Sequence, residues 1–165
     1  MSKSVSIMAL TSVPDICPGD NLGTVLCQCL EQEKIALEDG DIVCIAHKIV
    51  SKAEGRIVNL NQITPSTDAQ YYASKLNKDP RKVEIILRES KRVIRHFRHE
   101  HQNEGVMICE HRLGFISANA AVDESNVFGI ENIILLPKNP DASARELRKR
   151  LEGRFNKQIG VLITD

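Results

Sequence analysis

Gly114-Phe115-Ile116-Ser117-Ala118-Asn119-Ala120-Ala121-Val122-Asp123-Glu124-Ser125-Asn126 decides how the rest of the chain is read. A short apolar strand runs into small side chains, then into acid, hydroxyl and amide. Small side chains let backbone N–H groups approach a phosphate closely. An oxygen-rich cluster suits a hard cation such as magnesium or manganese. Taken alone, the stretch also reads as an ordinary turn capped by Asp123.

Working outward, the stretch closes a strand-rich middle. Val93-Ile94, Val106 to Cys109 and Phe115-Ile116 are short strand candidates separated by charged turns. Asn132 to Leu136 is a further apolar strand, and Ile159 to Ile163 is the last. Upstream, Val5 to Leu10 reads as a first strand and Ile42 to Ala46 as a buried one. Asp20 can cap a helix through about Glu33, on which Leu22, Val25, Leu26, Cys29 and Leu30 share a face. Thr64-Pro65-Ser66 starts a helix carrying Tyr71, Tyr72 and Leu76. Asp79-Pro80 opens another, with proline suited to the first turn. Pro140-Asp141-Ala142-Ser143 starts a last helix with Leu147, Leu151 and Phe155 inside and arginines outside. Helices and strands interleave without regular alternation. The expected class is mixed α/β, or α+β, in two lobes rather than a doubly wound sheet.

Bulk properties exclude some functions. Lysine plus arginine balance aspartate plus glutamate at 22 each over 165 residues. A zero formal charge argues against a whole-molecule nucleic-acid or membrane-surface binder. No apolar run approaches a membrane span, and Met1-Ser2-Lys3-Ser4-Val5 does not begin a signal peptide. Cys17, Cys27, Cys29, Cys44 and Cys109 are odd in number and contain no Cys-x-x-Cys, so reduced thiols in a cytoplasmic setting are expected. Cys44, within an apolar run, is expected to act as a small hydrophobe.

Two more segments could carry chemistry. His47-Lys48-Ile49-Val50-Ser51-Lys52-Ala53-Glu54-Gly55-Arg56 follows a strand and holds cations suited to phosphate, although it also reads as a charged hairpin turn. It contains no P-loop spacing. Arg92, Arg95, His96, Arg98, His99, His101, His111 and Arg112 fit no zinc pattern and read as a solvated hairpin face. The chain stops at Ile163-Thr164-Asp165, an acid just past an apolar strand. That ending suggests a chain cut short, or else a frayed terminal strand.

In order and spacing, several of these segments resemble the coenzyme F420-0:γ-glutamyl ligase family. They are Ile49 to Arg56, Asp79-Pro80-Arg81 with the helix to Ser90, Gly114 to Val127, Leu136-Pro137 with Pro140 to Arg145, and Val161 to Asp165. The resemblance covers the whole chain and the N-terminal two-thirds of the family. It implies that fold, with residues 1–165 as one ligase-like domain lacking the family's C-terminal part. It implies a GTP-dependent ligase that adds L-glutamate to the terminal carboxylate of a deazaflavin coenzyme precursor through an acyl phosphate. It implies magnesium or manganese, held by Asp123 and Asp165. Nucleotide contacts are implied at Thr11, Ser12, Val13 and Pro14 of the first loop, at His47, Lys48 and Lys52, and at Asn126. It implies an intertwined homodimer with no nucleic-acid or membrane partner. No residue is singled out as a catalytic acid, base or nucleophile. Ala121 stands where the family usually has glycine, and Ala46-His47-Lys48 replaces a threonine-glutamine-lysine type of sequence. The alternative reading is a non-catalytic, nucleotide- or metal-binding or dimerising relative without the C-terminal half of the site.

Overall fold

The computed structural model describes residues 4–124 and 131–164. The chain divides into two compact units. Its two ends build the terminal unit, Met1–Arg56 with Pro137–Asp165; the central unit is Ile57–Leu136.

The terminal unit contains α1 (Leu22–Gln32), β1 (Ile42–Ala46), α2 (His47–Ala53), α5 (Pro140–Phe155) and β7 (Gly160–Thr164). Helix α1 starts where the Asn21 side chain accepts from the backbone N–H of Thr24 at 3.0 Å. Asp20 is therefore not the cap expected from sequence. Its carboxylate instead accepts from Cys17 N–H, one turn earlier, at 2.7 Å. Leu22, Leu26 and Leu30 meet Leu147 and Leu151 of α5, with Ile45 and Val50 completing the core. This follows from the apolar stripe each helix carries at three- and four-residue spacing. The two helices lie so close that a Cβ on Gly23 would come within 2.9 Å of Arg150 Cγ. Asn139 caps α5 through Ala142 N–H, and Pro140 occupies its first turn, where a missing N–H costs nothing.

Strands β1 and β7 pair in parallel, from Ile42 opposite Gly160 to Ala46 opposite Thr164. β1 was expected to be wholly buried, and it is not. Ile45 is buried, but Ile42 is 67% exposed and Cys44 is exposed. A two-stranded sheet packed on helices through one side leaves its other side to solvent, so the apolar run overstated burial. Residues 4–15 contain no strand either: Val5 and Ile7 are 90% and 92% exposed.

The central unit contains β2 (Ile57–Asn59), a 3₁₀ turn (Leu60–Gln62), α3 (Thr67–Leu76), α4 (Pro80–Glu89), β3 (Ser90–Phe97), β4 (Val106–His111), β5 (Ile116–Ala118), a second short turn (Asn119–Ala121) and β6 (Asn132–Ile134). Strands β3, β4 and β5 form an antiparallel sheet; β2 pairs antiparallel with β6. Met107 and Cys109 of β4 alternate inward against Ala73, Leu76, Val83 and Ile86 of the two helices. Ser66 caps α3 through Ala69 N–H. Asp79 caps α4 through Arg81 N–H, while the Arg81 guanidinium closes on the same carboxylate and holds its pKa below the usual range. Among the described residues, no helix is long and apolar enough to cross a membrane.

Candidate functional site

In the terminal unit, the parallel register fixes what meets at one edge. β1 and β7 end together, Ala46 opposite Thr164. His47 follows Ala46 directly, and α2 begins there. The stretch expected to be a charged hairpin turn is thus a helix, His47–Ala53. No glycine or proline interrupts those seven residues, and Gly55 falls after the helix at φ +67°. The helix puts His47 and Ser51 one turn apart on one side, and Lys48 and Lys52 one turn apart on the next. His47, Ser51 and Lys52 are buried, and Lys48 is partly so. Loops beyond the C-terminal edges of parallel strands are where α/β proteins bind ligands. Asp165, the next residue after Thr164, lies outside the described residues.

The loop Thr11–Pro14 has no regular structure and is pinned by one side chain. Glu33 Oε1 accepts from Thr11 N–H at 2.7 Å and from Ser12 N–H at 2.6 Å. Hydrogen bonding from Ser12, and then from Thr11, holds the Glu33 carboxyl below its ordinary pKa. Val13 packs against the core, and Thr11 and Pro14 are exposed. Nothing in the sequence marked Glu33, because the contact spans 21 residues.

At the start of α5 the Glu54 carboxylate accepts from Lys138 N–H at 3.3 Å and from the Ser143 hydroxyl. Arg56 N–H donates to the Ser51 carbonyl at 2.8 Å. These bonds tie the end of α2 into the same unit.

The central unit carries Asp123. Its backbone exchanges two hydrogen bonds with Ile134, Asp123 N–H to Ile134 O at 3.1 Å and Ile134 N–H to Asp123 O at 2.8 Å. The residues before it are conformationally unusual. Asn119, Ala120 and Ala121 take φ values of +48°, +50° and +53° in succession. Three consecutive left-handed residues that are not glycine are strained, and such strain concentrates at functional positions. The turn is held by Met107 N–H donating to Asn119 Oδ1 at 3.2 Å and by Val122 N–H donating to Asn119 O at 3.0 Å. Ala120 is buried against Met107 and Cys109. Asn126 lies outside the described residues.

Asp123 is partly buried, and among the described residues no group of three or more His, Cys, Asp or Glu side chains converges on a metal position. A carboxylate on a backbone held by Ile134 is the kind of donor magnesium uses, with one or two carboxylates and a shell completed by water and phosphate. It does not fit an all-protein cage for calcium or zinc.

The basic and histidine-rich segment divides. Arg92, Arg95 and His96 are exposed on β3, as a solvated face requires. His111 is instead fully buried: its Nδ1 accepts from Leu113 N–H at 3.1 Å, and its ring stacks on Phe115 at 4.8 Å. Glu89 lies 3.5 Å from its Nε2 and bonds Arg112 at 2.8 Å. That cluster ties the end of α4 to the β4–β5 turn.

A parallel strand pair whose shared end carries buried basic and hydroxyl side chains, in a chain with a strained acidic turn, marks a mixed α/β protein. The chain belongs to the F420-0:Gamma-glutamyl ligase family, whose sequence model matches residues 11–165. It is 44% identical over 148 residues to the Coenzyme F420:L-glutamate ligase of Methanopyrus kandleri, covering 90% of this chain and 54% of that protein. It is 40% identical over 160 residues to that of Methanosarcina mazei, covering 96% and 57%. Against that of Methanothermobacter thermautotrophicus the identity is 37% over 162 residues, covering 98% and 61%. The chain thus spans little more than half the length of the curated relatives it matches.

Proposed function

We propose that the chain takes part in GTP-dependent ligation of L-glutamate to the terminal carboxylate of a deazaflavin coenzyme precursor. The observation that carries this reading is the register of β1 and β7, whose common end at Ala46 and Thr164 supports a ligand edge at His47 to Lys52. The family match extends through those same segments.

In this reading the substrate carboxylate attacks the γ-phosphorus of GTP, forming an acyl phosphate and releasing GDP. The amine of glutamate then attacks the acyl carbon, the C–O bond to phosphate breaks, and amide and phosphate leave. Lys48 and Lys52 supply positive charge to the phosphates, and buried charges act strongly there because little water screens them. His47 offers a second polar contact at the start of the helix. The loop Thr11–Pro14, pinned by Glu33, lines the nucleotide. By the family resemblance alone, Asp123 and Asp165 are proposed as ligands of magnesium or manganese and Asn126 as a nucleotide contact. When bound, that ion screens the triphosphate and the charge that develops on transfer. A homodimer is part of the same reading.

The test is direct. Incubation with GTP, manganese, glutamate and the coenzyme precursor should give a product heavier by one glutamyl residue, together with GDP. Nucleotide binding without any glutamate addition would refute ligation by this chain. That outcome would favour the second reading, a nucleotide-binding relative, for which Ala121 in a left-handed position usually held by glycine is the specific observation.

A further inference from the structure

Glu33 stands where a carboxylate is ordinarily disfavoured. It caps the C-terminal end of α1, the negative end of the helix dipole. Two backbone donors from a loop 22 and 21 residues earlier offset that cost: Thr11 N–H at 2.7 Å and Ser12 N–H at 2.6 Å, both on Oε1. Cys29, one turn back on α1, is buried and donates its thiol to the Ser12 carbonyl at 3.6 Å. Side chains of one helix therefore hold both the N–H and the C=O of Ser12. Leu10 and Val13 pack against the core on either side, while Thr11 and Pro14 stay exposed.

This grip decides what the loop can still offer a ligand. Loops that cradle phosphate do so with several converging backbone N–H groups. Here the N–H groups of Thr11 and Ser12 are already bonded to a carboxylate, and Pro14 has none, so Val13 alone of the four could donate. Residues 11–20 contain no lysine or arginine and two aspartates, Asp15 and Asp20. An anion is therefore poorly served. Acceptors remain: the carbonyls of Thr11, Val13 and Pro14, and the Thr11 hydroxyl. The donor edge of a guanine, with its amino group, matches acceptors of that kind.

We propose that Glu33 is a positioning residue that presents the Thr11–Pro14 loop to the base of the nucleotide rather than to its phosphates. The proposal rests on the nucleotide-binding reading above and adds which end of the ligand the loop serves. Glu33 does not touch the ligand. Its two charge-assisted bonds, the stronger kind, turn the loop's donors inward and leave its carbonyls to solvent.

The experiment uses the whole chain and two variants, Glu33→Ala and Glu33→Gln. GDP and ADP, each with manganese, are titrated by calorimetry at a temperature where circular dichroism shows all three proteins folded. The two nucleotides share their phosphates and differ in the base. Wild type should prefer GDP. Glu33→Ala should weaken GDP about tenfold and leave ADP unchanged. Glu33→Gln, which keeps a neutral acceptor, should recover part of that loss. Equal weakening of GDP and ADP overturns the base assignment, because a residue serving only the fold or the phosphates acts on both. GDP binding unchanged in both variants overturns the role of Glu33 and leaves the nucleotide reading intact. Equal affinity of wild type for GDP and ADP overturns the base assignment as well. No nucleotide binding by wild type overturns both readings. Hydrogen exchange on wild type alone gives a check that needs no variant to fold: saturating GDP should slow the segment from Leu10 to Ile16, and an unchanged rate there with GDP bound overturns the proposal.

Discussion

Replacing Ala121 by glycine should stabilise the protein. Ala121 sits at φ +53°, the last of three consecutive left-handed residues. For an L-residue that conformation costs roughly 1–2 kcal/mol relative to right-handed helix. Glycine escapes that cost but carries a larger loss of backbone entropy, about 0.5–1 kcal/mol. Ala121 is only partly buried, so little methyl burial is lost. The net expectation for Ala121→Gly is a gain of about 0.5–1 kcal/mol, or roughly 1–4 °C in Tm for a chain of this size. Ala120→Gly is the internal control. Ala120 has the same strain, at φ +50°, but is 1% exposed within the central core. Losing a buried methyl there costs about 0.8 kcal/mol and cancels the relief. Urea unfolding followed by far-UV circular dichroism measures both. If Ala121→Gly destabilises by about 0.5 kcal/mol or more, or if the two variants behave alike, the strain argument is wrong.

Three further outcomes follow from packing and charge. The Glu33 carboxyl is held below its ordinary pKa by its bonds to Ser12 and Thr11, so its contribution is present above the usual carboxylate range near about pH 4 and is lost as pH falls through its lower folded value. Glu33→Gln should therefore lower Tm at pH 7 and become indistinguishable from wild type in strong acid; a constant difference across pH would refute this. Gly105→Ala should destabilise by about 1–3 kcal/mol in urea titration, because its Cβ would meet the Phe97 carbonyl oxygen at 2.6 Å and Leu76 Cδ2 at 2.5 Å. Leu151→Ala removes a side chain with 0% exposure from the terminal core and should cost about 2–5 kcal/mol by the same measurement.

Helices were legible in this sequence because they announce themselves locally. Ser66 and Asp79 act as caps, Pro80 and Pro140 sit in first turns, and the apolar stripes of α1 and α5 are the ones that pack. Strands were harder, because an apolar run says nothing about how many neighbours the strand will have. Ile42 to Ala46 is as apolar as a central strand of a large sheet, yet among the described residues it has one strand partner and an exposed side. Val5 to Leu10 reads as a strand but pairs with no strand among the described residues. The helix His47–Ala53 was missed for the opposite reason. Its charges read as a turn, and the only contrary signal was the four-residue spacing of His47 to Ser51 and of Lys48 to Lys52.

The proposed site residues divide along the same line. Lys48 and Lys52 stand out in the sequence because cations just beyond a strand suit an anion, whereas the nucleotide contacts proposed at His47, Lys48 and Lys52 rest on the family resemblance. Glu33 does not stand out, since its bonds to the backbone of Thr11 and Ser12 are contacts that only folding reveals. The strain at Asn119 to Ala121 was half visible. Alanine in place of the family's usual glycine signalled an altered backbone, but not that three successive residues would share the left-handed conformation. Such a turn persists only where its surroundings over-determine it. Here the Asn119 side chain on Met107, the buried Ala120 methyl and the Asp123–Ile134 bridge supply that determination. Relief of strain and retention of function therefore make opposite demands on this loop. If Asp123 acts on a bound ion, Ala121→Gly should gain stability while loosening the backbone that aims the carboxylate, and the two effects are separable by measuring unfolding and manganese affinity in the same variant.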